Sequence, residues 1–184
     1  MDEVRIGILK HLADFLRMLK PQARREYLPR LSEFLKMDND RNWRFRQELA
    51  DQLGYLVPLF SPQEVKDYLS PIAIVLVRDK VSAVRHSAVA VHIEMVRTLL
   101  SSDNPELAKN LLSNLVSQLA NAGRWVHRQT FAVFTQKLFE DASLDHEKVS
   151  NEILTPMLDL AWDNVPNVRL AVAKAVGQIK ATSK

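Results

Sequence analysis

Apolar residues along this 184-residue chain recur at steps of three and four, and no stretch alternates with the period of two that a half-buried strand requires. The pattern predicts helices over roughly 4–19, 23–37, 42–58, 63–78, 82–100, 105–121, 125–140, 146–161 and 166–180, separated by short links. Short links force consecutive helices to lie side by side and antiparallel. From Val84 to Leu100 there are two apolar stripes, Val84, Ala88, Val91, Met95, Leu99 and Val89, Ile93, Val96, Leu100. Two stripes require neighbours on two sides, as in a helix held between others in a stack. The set Val168, Ala171, Val172, Ala175, Val176 and Ile179 has the same breadth. Four glycines and eight prolines punctuate the chain. Ser61-Pro62, Ser70-Pro71 and Thr155-Pro156 are read as a hydroxyl cap followed by proline at a helix opening. Pro29, Pro71 and Pro156 are expected to kink the first helix of a pair near its first turn, and Trp162 to pack on its own repeat.

A charged turn running into an apolar helix, "RDKVSAVRHSAVAV", has echoes. The arginine at Arg85 recurs as Arg46, Arg128 and Arg169, with Arg5 near the N-terminus, at spacings of 41, 39, 43 and 41 residues. Six residues ahead stand Asp40, Asp79 and Asp163, with Ala122 at the remaining copy. A period near 40 predicts a repeat array, all-α, with one partial repeat (1–20, a second helix alone) and whole repeats at 21–61, 62–102, 103–143 and 144–184. Each register arginine falls in the first turn of a second helix, where the helix dipole disfavours a cation by a few tenths of a kcal/mol up to about 1. Acceptors must offset this: the nearby aspartate, the carbonyls that end the preceding helix, or an aspartate of the adjacent repeat. Asp40, Arg46, Asp79, Arg85, Asp163 and Arg169 are therefore assigned to holding the fold; Arg128 lacks the matching aspartate and fits less well.

The composition narrows the chemistry. Without cysteine there are no disulfides, thiolate metal sites or Cys nucleophiles. The five histidines have no paired metal-ligand spacing, no HExxH, P-loop or nucleophile-elbow string occurs, and no cofactor or metal is expected. The longest apolar run is too short to cross a bilayer, and the chain is expected to be soluble and cytoplasmic or nuclear. Net charge is +3, made of +4 over residues 1–46 and −1 over the rest. A polyanion binder needs a larger basic field than that. A nucleic-acid grip through Arg17, Lys20, Arg24, Arg25 and Arg30 is the alternative reading.

Helix pairs of this period, with prolines in first helices and the Asp-x5-Arg register, resemble HEAT repeats. The strings "ILKHLADFLRMLKPQARREYL", "RNWRFRQELADQL", "DKVSAVR" and "NVPNVR" resemble the family of regulatory subunit 1 of protein phosphatase 4, related in its repeats to the phosphatase 2A scaffold subunit. The family's chains are much longer, so the expectation is a fragment or short paralogue. The resemblance implies a HEAT-repeat α-solenoid without catalytic activity, which binds a phosphatase 4-type catalytic subunit and presents it with substrates. It also implies that the turns between paired helices form the partner ridge. By position these are Asn39, Arg41, Trp43 and Arg44, then Lys80 and Ser82, then Arg124 and Trp125, then Asn164 and Asn167. Trp43 and Trp125 both stand three residues before a register arginine. Each indole either anchors a partner or covers its own turn.

Overall fold

The computed structural model describes residues 2–36 and 42–182, and the described residues are helices and turns without a strand. They fall into two compact units, Met1–Thr98 and Leu99–Lys184. The first unit runs through α1 (Asp2–Leu9), α2 (Leu12–Met18), α3 (Pro21–Arg25), α4 (Glu33–Lys36), α5 (Trp43–Leu56), α6 (Pro62–Glu64), α7 (Ser70–Val77) and most of α8 (Ser82–Leu100). The second holds α9 (Pro105–Leu115), α10 (Trp125–Glu140), α11 (His146–Asp159) and α12 (Pro166–Thr182). This is the all-α, helical-repeat architecture that the periodicity implied.

Four details depart from the sequence reading, each for an identifiable physical reason. The helix expected over 4–19 is broken between α1 and α2, and the buried Gln52 amide fills the gap. Its Oε1 accepts from the Ala13 N–H at 3.0 Å and its Nε2 donates to the Lys10 carbonyl at 3.0 Å. The helix expected over 23–37 is also broken. Pro29 has no N–H and in a regular helix its ring would press on the Arg25 carbonyl, so α3 stops at Arg25 and a 3-10 turn, Leu28–Arg30, follows.

The prolines do not sit near first turns. Pro71 lies past the middle of the helical run 62–77, and Pro156 is in the last turn of α11, because these runs already begin at Pro62 and His146. Ahead of Pro71 the coil widens into a π turn, Val65–Leu69, in which the Ser70 N–H reaches the Val65 carbonyl and the ring is accommodated. Ser70 and Thr155 are therefore inside helical runs and open no helix; Ser61 does open one. Its hydroxyl accepts from the Glu64 N–H while Glu64 accepts from the Ser61 N–H, a reciprocal capping box.

Counted from the register arginine, α5, α8 and α10 each bury two stripes. The leading stripe, at −1, +3, +6 and +10, is Phe45, Leu49, Gln52, Leu56 in α5, Val84, Ala88, Val91, Met95 in α8, and His127, Phe131, Phe134, Leu138 in α10. The trailing stripe, at +4, +7 and +11, is Ala50, Leu53, Val57, then Val89, His92, Val96, then Ala132, Thr135, Phe139. In α8 His92 rather than Ile93 takes the fully buried place. Each fully buried Leu or Phe contributes about 1.5–3 kcal/mol, so the stripes carry the core.

Candidate functional site

In the three turns at 79–85, 122–128 and 163–169 the register arginine binds backbone carbonyls of its own turn. In the 78–85 turn, Arg85 donates through Nη1 to the Asp79 and Lys80 carbonyls at 2.8 and 3.1 Å. Arg128 treats the Ala122 and Gly123 carbonyls alike, both at 2.9 Å, and Arg169 reaches the Asp163 and Asn164 carbonyls at 2.7 and 3.2 Å. These are the carbonyls six and five residues before each arginine. Satisfying them offsets the cost of a cation in a first helical turn.

For Arg46 and Arg128 a carboxylate lies one repeat further on. Arg46 donates through Nε to Asp79 Oδ2 at 2.5 Å and through Nη2 to Oδ1 at 3.3 Å, and Arg128 pairs with Asp163 at 2.5 and 3.0 Å in the same forked manner. Each aspartate also accepts from a backbone N–H two residues on, Val81 at 2.7 Å and Val165 at 2.9 Å. Hydrogen bonding from Arg128 holds the Asp163 carboxyl below the usual carboxylate range, against the opposing effect of burial. Arg128, the weak copy in the sequence reading, thus has a complete set of partners. A backbone carbonyl serves whatever the side chain is, so Ala122 suffices in its own turn, and the carboxylate comes from Asp163.

These bonds build the turns that present the candidate partner residues. Trp43 is half-buried with the Arg44 guanidinium 4.6 Å from its ring centroid, and Arg44 is exposed. Trp125 opens α10 with 40% of its surface exposed, beside the exposed Arg124. Lys80, Asn164 and Asn167 are exposed, as is Ser82, whose hydroxyl meets His86 Nδ1 at 3.1 Å. Asn39, Asp40 and Arg41 lie outside the described residues. Trp162 does not pack on its own repeat; it is 90% exposed.

Three of the five cations proposed for nucleic acid have internal partners. Arg24 donates to the carbonyls of Leu16, Arg17, Leu19 and Leu59 at 2.8–3.2 Å, Arg25 pairs with Glu64 at 2.7 Å and Arg17 with Asp14 at 3.0 Å. Arg24 is thus a clamp on the end of α2, a role its sequence neighbours do not signal. Among the described residues no group of His, Cys, Asp and Glu converges as a metal site would.

No protein-family profile matches the chain. Curated proteins do: serine/threonine-protein phosphatase 4 regulatory subunit 1 of Homo sapiens and its namesake in Mus musculus are each 46% identical over 178 residues, which is 97% of this chain. The chain is a relative of phosphatase 4 regulatory subunit 1. The namesake in Rattus norvegicus aligns to the same extent. The chain spans about a fifth, 19%, of the length of these relatives.

Proposed function

We propose that this chain is a non-catalytic regulatory module that binds a phosphatase 4-type catalytic subunit and governs its activity or targeting. The observation that carries the reading is the 46% identity to phosphatase 4 regulatory subunit 1 over 97% of the chain. The turns supply the contact surface, with Trp43, Arg44 and Trp125 first, because large side chains at half-buried or exposed turn positions suit an interface centre. A cytoplasmic or nuclear setting goes with this role. The engagement of Arg24, Arg25 and Arg17 by internal partners weighs against a phosphate-binding face.

The test is binding of the chain to purified phosphatase 4 catalytic subunit by calorimetry. Trp43→Ala or Trp125→Ala should each cost about 2 kcal/mol of binding with helicity unchanged. Binding unchanged in both variants would remove the tryptophans from the interface, and no binding by the unaltered chain would overturn the reading.

A further inference from the structure

Within the first unit an open groove of about 430 Å³ lies between α5 and α8. Both of its walls are internal second helices, so its opening does not depend on where the chain begins or ends. None of its lining residues is a turn residue assigned to the phosphatase contact. Gly54 and the buried Val91 lie along it, with Tyr55, 59% exposed, next to them. Its two ends differ in charge. Asp51 and Ser87 meet at one end, while Pro58 and Glu94 stand seven residues further along their helices, about 10 Å away at 1.5 Å per residue. The charges at the far end are answered, Glu94 by Arg97 and the Arg17 of α2 by Asp14. Asp51 pairs with no cation among the described residues. Partial desolvation raises its carboxyl above the usual carboxylate range, hydrogen bonding with Ser87 opposes the rise, and the nearby Glu48 carboxylate adds to it.

We infer that the α5–α8 groove binds a peptide segment through one cationic side chain, a lysine or arginine whose charge sits at Asp51 and whose aliphatic stem runs over Gly54 and Val91 beside Tyr55. Charge complementarity carries this. A cation at Asp51 relieves both the desolvated carboxylate and its repulsion from Glu48, whereas an anion would meet two like charges. The groove behind Asp51 suits the rest of such a side chain, because lysine and arginine stems cover apolar surface and a cation gains further from an aromatic ring. Gly54 fits the same use. A glycine inside a helix weakens it relative to alanine, yet internal packing does not require one here: a Cβ at this position would meet only Val91 Cγ2, at an ordinary 3.8 Å. The missing side chain deepens the groove instead. The inference is independent of the phosphatase reading.

The test uses labelled, capped pentapeptide pools whose central residue is lysine, arginine, glutamine or glutamate and whose flanks are random, read by fluorescence anisotropy with the 184-residue chain. The lysine or the arginine pool should bind about tenfold or more tightly than the glutamine and glutamate pools. Asp51→Asn should weaken that binding by about tenfold, and Gly54→Leu, which fills the groove, by about as much with circular dichroism unchanged. Asp103→Asn, at an exposed acid elsewhere, should change it by less than about twofold. Absence of binding by every pool overturns the inference, as does a cationic centre that brings no preference. So does affinity retained in both groove variants, or a loss in Asp103→Asn equal to that in Asp51→Asn, the mark of general charge attraction.

Discussion

At His92 the Nδ1–H donates to the Ala88 carbonyl at 2.7 Å, while Nε2 meets no hydrogen-bond partner and the side chain has no exposed surface. Burial pushes its pKa down from 6.5 to about 4, so the folded protein keeps the ring neutral where the unfolded chain would protonate it. Below pH 6.5 the unfolded state therefore binds the extra proton, and stability falls as the pH drops toward 4, by up to about 3 kcal/mol for this one group. His92→Leu should flatten that part of a urea-denaturation series while changing stability at pH 7 by about 1 kcal/mol or less. If the variant keeps the same slope between pH 6.5 and 4, His92 is not its source. Residue type alone did not reveal this place: the helical spacing pointed to Ile93. Trp162 errs in the opposite direction. A tryptophan reads as core by type, yet its counterparts one and two repeats back, Asn121 and Arg78, are exposed as well, and location decides burial.

Among the elements, the α1–α2 break is sustained by a side chain about forty residues away. Gln52→Ala should leave the Lys10 carbonyl and the Ala13 N–H without their partner and lower stability by about 2 kcal/mol. Hydrogen exchange at Ala13 should accelerate more than exchange in α10; equal protection at Ala13 in both proteins would show that the break stands without the amide. Helix existence was legible in the sequence because each apolar stripe is a local pattern. The break, the π turn before Pro71 and the end of α3 were not. They depend on where a proline falls within a helix whose start is set elsewhere, or on a distant glutamine. The register arginines show the same division. Their spacing and the carbonyls five and six residues ahead could be read locally, but their carboxylates stand 33 and 35 residues further on. Arg128 looked incomplete because the aspartate six residues ahead was taken as the mark of a complete copy, although an aspartate of the adjacent repeat was among the acceptors considered.

For the molecule as a whole, the link from Arg46 to Asp79 and from Arg128 to Asp163 means that no repeat is chemically complete by itself. Repeat 21–61 supplies a cation answered by the aspartate of repeat 62–102, and repeat 103–143 one answered by the aspartate of repeat 144–184, whereas Ala122 has no carboxylate to offer. The useful unit for building with this protein is therefore one full period, the 41 residues that separate Arg128 from Arg169. A tandem duplication of residues 129–169, inserted after Arg169, would set a new aspartate 35 residues beyond Arg169, the separation that joins Arg128 to Asp163. Such an elongated chain should gain helical signal in proportion to its added length and a higher urea midpoint, since a stack gains one more neighbour interface with each unit. The same duplication carrying Asp→Ala in the new copy should gain the helix but less of the midpoint. Cassettes of one full period can be multiplied, whereas a cassette longer or shorter than the period would move each charge away from its answer.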